Sequence, residues 1–325
     1  MSRSPCFAVL ASVLPTFGVA AQVPTTTARI GMLCPVRCSG PGHAAFEDQL
    51  RRLGWVEGHS LTVERRALEG RYECLSELVA EVVGSRPDLI VGPGVPIARA
   101  LKDATSEIPI AFSFVTNPVQ MSLVQSLARQ GQRNVTGVAA IAPGTFLAKQ
   151  FEILREPLPQ AQRVAGLVNP ANDDHRLARA REVPMASQRG LQADVIELHT
   201  PEDVPTAVKK AGALGAEGLL DLGDAILNTP PNGIPDLLAR TAFPALYSNR
   251  GPGLDGGLIS YTPDMIALAR RHAYYPNRIL RGASPTAMPV EHPIQYKLVV
   301  NLKTARALGL TVPPSLLSQA DEVIE

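Results

Sequence analysis

Short apolar runs and amphipathic stretches take turns along this chain from residue 29 onward. RIGMLC is a compact apolar run, and HAAFEDQLRRLGW after it sets Phe46, Leu50 and Leu53 at helical spacing, with Gly54 where a C-terminal cap belongs. LTVERR predicts a strand, residues 72–83 a helix with Leu75, Leu78, Val79 and Val82 on one face, and PDLIVG a buried strand. A helix over 95–104, the strand IPIAFSFV and a helix over 123–129 continue the series.

The second half repeats the scheme. Helices over 146–154, 174–189, 202–214 and 236–240 interleave with the strands RVAGLV, ADVIEL, GLLDLG and PALYS; Pro184 is expected to kink or break the second of these helices. The tail adds GGLISY with a helix over 263–280 that Pro276 should kink, and YKLVVN with a helix over 303–308. Such alternation predicts the α/β class, with parallel sheets covered on both faces in two doubly wound lobes. The 325 residues exceed what one core usually serves. The expected division is 29–139 plus 255–283 for one lobe and 140–254 plus 284–325 for the other, so the chain crosses a multi-strand hinge.

Composition narrows the partners. The chain is 45% hydrophobic and 19% charged, has a formal net charge of +1, and only 5% of it is aromatic. A nucleic-acid partner, which calls for a basic stripe with interleaved aromatics, is excluded on that balance. The opening segment MSRSPCFAVLASVLPTFGVAAQVP places Arg3 before an apolar run from Phe7 to Val19 and closes on Ala20-Ala21, the pattern of a secretory signal peptide over 1–21 cut near Ala21. The run is short for a membrane span and is interrupted by Pro15. The expected location is therefore the periplasm. Cys34, Cys38 and Cys74 would remain after cleavage, an odd number that excludes a disulfide framework. Cys34 and Cys38 are left between a local bridge and small buried or loop thiols. Cys-x3-Cys has no second pair at finger spacing, which disfavours a metal.

Ligands of open parallel sheets bind just beyond the carboxyl ends of the strands. Two turns there have the same form: SFVTNPV carries Thr116 and Asn117, and LVNPAND carries Asn169 and Asn172. Asn supplies a donor and an acceptor, and the helix start after it supplies free N–H groups. Turn formation alone also accounts for Asn-Pro. CPVRCSGPG, with Cys34 and Ser39, and GPGVP, with Gly92, Gly94 and Val95, end strands in the first half. Asp221 and Asp224 end a strand in LLDLGDAI, and Arg250 ends the next in YSNRG; one acidic and one basic group suit the ammonium and carboxylate of an amino-acid-like ligand, and a solvated loop accounts for either charge equally well.

Catalytic signatures are missing. GPGVPI has isoleucine where a dinucleotide fingerprint needs its third glycine, and there is no phosphate loop, His-Glu-x-x-His or Gly-x-Ser-x-Gly. None of the six histidines has a partner at metal or triad spacing. An exported two-lobed α/β chain without catalytic machinery points to binding, with no enzyme activity, cofactor or metal expected.

From about residue 29 to its end the chain resembles the periplasmic substrate-binding proteins of ABC transporters, of the tryptophan/tyrosine-binding type. The stretches that carry the resemblance are LRRLGWVEGHSLTVERRALEGRYECLSELVAEVV, TNPVQMSLVQSLARQGQRNVTG, LVNPAND and YKLVVNLKTARALGLTVPPSLLSQADEVIE. It implies a type I periplasmic binding protein fold and a small solute, an amino acid or related carboxylate, closed between the lobes and handed to an ABC permease at the membrane. It also implies ligand-facing positions in the loops already named and at Ser260 and Tyr261. The chain is expected to act as a monomer. It departs from the family in its first loop, where Cys34 and Cys38 replace glycine- or serine-rich sequence, and in LNTPPNGIP and GPGLDGG. Two alternatives stand beside this reading. One is an exported solute sensor that partners a membrane signalling protein. The other is an α/β enzyme with a reactive Cys34.

Overall fold

The computed structural model describes residues 27–119, 121–124, 134–141, 146–172, 186, 188, 190–221, 243–248, 257–292 and 295–325. The expected helices over 123–129, 174–189 and 236–240 lie largely or wholly outside these residues, as do the opening segment and residues Asp224 and Arg250.

Five strands form the first sheet: β1 (Ala28–Cys34), β2 (Leu61–Ala67), β3 (Leu89–Pro93), β4 (Ile110–Val115) and β5 (Val135–Ala139). Their order is β2-β1-β3-β4-β5, all parallel. The inner strands β1, β3, β4 and β5 are covered on both faces and largely buried, so alternate residues go to opposite cores, whereas the edge strand β2 carries the half-exposed Glu64, Arg65 and Arg66. Ile30, Met32 and Cys34 join one core with helix α1 (Pro41–Arg52), while Leu33, Ile90 and Phe112 join the other with α2 (Leu75–Gly84) and α3 (Val95–Ala104).

The second sheet holds β6 (Arg163–Val168), β7 (Gln192–Glu197), β8 (Gly218–Asp221), β9 (Ala245–Tyr247), β10 (Ile259–Pro263), β11 (Tyr296–Asn301) and β12 (Glu322–Ile324). Its order is β12-β11-β10-β9-β8-β6-β7, and the run β7-β6-β8-β9-β10 repeats the winding of the first sheet. Helices α4 (Phe146–Arg155) and α5 (Val204–Ala213) belong to this lobe, and residues from both lie in its two cores.

The tail corrects the expected division. Residues 255–283 were assigned to the first lobe, but β10 within them pairs with β9 and β11 in the second sheet. The helices that follow, α6 (Met265–His272) and α7 (Tyr274–Leu280), do pack in the first lobe through Leu268, Ala269, Tyr275 and Ile279. Met288 and Val290, expected in the second lobe, also lie in first-lobe cores. The chain thus leaves the second sheet at the end of β10 and re-enters at the same end, which is why β11 runs antiparallel to β10. The break between α6 and α7 falls at Ala273, and Pro276 accounts for it, since a proline ring clashes with the carbonyl four residues back, here that of His272. Helices α8 (Leu302–Ala307) and α9 (Pro314–Gln319) close the chain before β12.

Three passages of chain run side by side between the lobes. Ala139 N–H donates to the Glu291 carbonyl at 2.7 Å, Ala140 N–H to the Val115 carbonyl at 2.7 Å, and Asp264 N–H to the Gln295 carbonyl at 3.0 Å. The Lys297–Asp264 pair at 3.0 Å and the two-pronged Arg271–Glu291 pair at 2.5 Å flank them. Among the described residues no helix is long and apolar enough to cross a membrane.

Candidate functional site

At the carboxyl end of the first sheet, the first lobe's wall is built chiefly from backbone. The loop after β1 is stitched to the loop after β2: Leu68, Glu69 and Gly70 N–H groups donate to the carbonyls of Cys34, Val36 and Pro35 at 2.9, 3.1 and 2.8 Å. A Cys34–Cys38 disulfide closes the first loop, which settles the pairing that the sequence left open. Ser39 follows on the exposed rim. His43, in the first turn of α1, has its Nε2 3.4 Å from Cys34 Sγ. Burial holds the His43 imidazole below its ordinary value, against the pull of Glu47 and the Ser39 carbonyl.

The loop after β3 shows what its glycines are for. A Cβ on Gly92 would stand 2.5 Å from Leu101 Cδ1 and 2.8 Å from Ile97 Cγ2, so this glycine lets α3 lie against the strand. Gly94, at φ +81°, is the N-cap of α3 and donates its N–H to the Ser113 carbonyl at 2.8 Å. Val95 is 1% exposed in the first lobe's core, so its side chain serves packing. Next in the sheet, β4 slips register between Phe112 and Val115, and Phe114 in the slip has φ +57°. A bulky residue in left-handed backbone is a local strain, here two residues before the half-buried Thr116 and Asn117. The Asn117 carbonyl accepts from Met121 N–H at 2.9 Å.

The second wall carries buried polar side chains. Asn169 is 1% exposed, and its Oδ1 accepts from Ala171 N–H at 2.9 Å while its carbonyl accepts from Asn172 N–H at 3.0 Å. That is an Asx turn, the strand-stopping use of Asn-Pro. Asp221 ends β8 fully buried, and its carbonyl accepts from Ser248 Oγ, which in turn accepts from Gln150 Nε2 at 2.9 Å. Tyr247 ends β9, and its buried hydroxyl has no hydrogen-bond partner among the described residues. Burial first, then the Asp221 charge, pushes the Tyr247 phenol well above its ordinary range. Ser260 is buried within β10, and Tyr261 stacks on Phe146 and Tyr296, at 5.4 and 5.6 Å between ring centres, in a three-ring cluster beside the hinge whose third side, Phe146 to Tyr296, is 5.7 Å.

Among the described residues, Tyr72 joins the walls. Tyr72, at the start of a 3-10 turn after the β2 loop, packs against a first-lobe core and also against the second-lobe core that holds Leu198, Leu219 and Tyr247. With Gln150 and Tyr247 it was missed in the sequence, where it reads as one more helical residue. Within the first sheet the structure sets the strand-end loops at Cys34, Gly94 and Asn117 on neighbouring strands, and within the second those at Asn169 and Asp221; Gly92 and Val95 serve packing, and Tyr261 lies in an aromatic cluster.

Known proteins share this architecture. A family model of ABC transporter substrate binding proteins matches residues 42–324. A tyrosine-binding protein from Clostridioides difficile (strain R20291) is 21% identical over 265 residues, which span 82% of this chain and 75% of that one. The crystal structure of a conserved domain protein from Vibrio cholerae overlays with a TM-score of 0.83 at 25% identity, covering 92% of this chain and 100% of that one. An ABC domain in complex with L-Trp from Streptococcus pneumonia overlays at 0.82 with 24% identity, again over 92% and 100% of the two chains.

Proposed function

Because this chain belongs to the ABC transporter substrate-binding protein family, whose members bind solutes and are not enzymes, we propose that it captures an aromatic amino acid or related carboxylate between its lobes for import. The observation that carries this reading is Tyr72, an aromatic side chain of one lobe seated on the core of the other. A flat ring shared by two walls, packed on the core that holds Tyr247, offers an aromatic solute a stacking face. The tyrosine-binding relative and the L-Trp complex favour the same class of solute.

Closure follows from geometry. Contacts to both walls are made together only when the lobes approach, so a ligand that spans them favours the closed form by the contacts it gains there. The three adjacent passages of chain between the lobes suit a hinge, since a turn shared among several extended strands needs only small dihedral changes in each. In this reading the opening segment is a signal peptide, the chain works in the periplasm as a monomer, and the closed form is what an ABC permease receives. Thr116, Asn117 and the buried Ser260 complete the wall in this reading; Asp224 and Arg250, outside the described residues, are assigned to the charged ends of the solute from their place in the sequence alone.

Thermal melting of the mature chain against single amino acids tests the reading. L-Trp or L-Tyr at a hundredfold its dissociation constant should stabilise by about 2.7 kcal/mol, and aliphatic amino acids at that same concentration should stabilise less. No shift with any amino acid, alongside a shift with another solute class, would overturn it.

A further inference from the structure

Solute capture leaves the Cys34–Cys38 disulfide and His43 without a task, although they stand at the base of the first wall. Cys34 is fully buried at the end of β1, whereas Cys38 is half-exposed on the loop. Cys34 Sγ, Cys38 Sγ and His43 Nε2 all lie within 4.8 Å of one another. While the S–S bond stands, neither sulfur is a thiolate and a cation is offered one imidazole only.

The two sulfurs differ in access, and this sets the direction of exchange. A thiolate of a dithiol reductant reaches Cys38 Sγ; a bond forms between these sulfurs, the Sγ–Sγ bond breaks, and Cys34 leaves as a thiolate beside the His43 ring nitrogen at 3.4 Å. The second thiolate of the reductant then attacks its own sulfur in the mixed disulfide, releasing Cys38 as a thiolate and closing the reductant's ring. Two electrons pass to the protein, and both cysteines end reduced. Two thiolates and one imidazole are a donor set for thiophilic cations, with a fourth position left to water. The Cα atoms of the cysteines are 5.4 Å apart, so rotation of the side chains suffices to spread the sulfurs around an ion.

We propose that Cys34, Cys38 and His43 form a redox-gated metal site, which takes a thiophilic divalent cation of the zinc type once a dithiol has opened the disulfide and not before. Its loop is the one tied to Leu68, Glu69 and Gly70 just before Tyr72, so opening it bears on the cleft wall.

The test uses the full mature chain with Cys74→Ser, which removes the one other described thiol. Cobalt(II) is titrated into air-oxidised protein and into phosphine-reduced protein, and thiolate-to-cobalt charge-transfer absorption is read. One equivalent should bind to the reduced form and none to the oxidised form; Cys38→Ser should abolish the band and His43→Gln should weaken binding at least tenfold. Reduced protein that keeps its circular dichroism yet shows no band overturns the proposal, as does binding that both substitutions leave unchanged. Loss of the fold on reduction overturns it too, because the site then has no scaffold. The cobalt signal does not involve the solute, so its outcome is independent of the amino-acid experiment.

Discussion

In the first lobe the carboxyl ends of the strands are tied together by backbone: the loop after β1 to the loop after β2, and the Gly94 N–H to the end of β4. In the second lobe, which winds in the same order, the corresponding ends carry Asn169, Asp221 and Tyr247, polar side chains sealed in the core. The first wall holds a shape, and the second holds polar groups, of which the Tyr247 hydroxyl has no hydrogen-bond partner among the described residues. A shared winding thus sets where a wall stands, and the residues placed at the strand ends decide what it offers a ligand.

The largest expected effect is on stability and belongs to the first lobe alone. His272, on α6, is fully buried with Nε2 3.2 Å from the Ala111 carbonyl of β4, and burial pushes it down to about 4 from 6.5. The folded value lies below the unfolded one, so the unfolded chain takes up the proton first. Stability is full above the unfolded value and is lost as pH falls toward the folded one, by about 3 kcal/mol in all. Hydrogen exchange near neutral pH and near pH 4 should show β4 and residues 265–280 loosening ahead of β6 and β8, with a flatter response in His272→Gln. Equal loosening of both lobes would break the contrast.

Next comes the residue that joins the walls. Tyr72→Ala should weaken binding of the stabilising amino acid by about 2 kcal/mol, roughly thirtyfold, with a smaller loss in ligand-free melting, because the ring is only partly buried against each core. Calorimetry reads the first quantity and melting the second; a large melting loss with unchanged affinity would make Tyr72 a core residue only. Tyr247→Phe should cost about tenfold in affinity, or about 1.4 kcal/mol, and leave stability unchanged or slightly higher, since the hydroxyl has no partner among the described residues. If affinity stays the same, the second wall does not present this group to the ligand.

The smallest effects separate the two Asn-Pro turns. Asn169→Ala removes an Asx turn and should cost about 1 kcal/mol of stability while changing affinity less than Asn117→Ala does. Asn117→Ala should do the reverse, losing more affinity than stability. Identical behaviour of the two variants would mean that both turns serve only to stop strands.

Much of the fold was legible because it rests on local periodicity. RIGMLC, PDLIVG and RVAGLV are apolar throughout because both faces of a parallel strand are covered, and the break in residues 263–280 follows from one proline ring. The site was legible as a set of strand ends, and less so residue by residue. Gly92 looked like a ligand loop and is spent on the close approach of α3. Asn169 looked like its counterpart Asn117, yet its carboxamide accepts from the turn that it makes. Which of a polar group's partners wins depends on neighbours that the local sequence does not specify.

By itself the sequence determined the alternation of strands and helices, the ends where ligand loops belong and the family likeness of the whole, because each is written in contiguous residues. The tertiary structure decided that β10 joins the second sheet, that Cys34 pairs with Cys38 and that Tyr72 rests on the other lobe. Those outcomes depend on which segments are packed side by side: a strand's sheet is set by where the chain re-enters, and a cleft residue's partner lies on another lobe, beyond the reach of any periodicity.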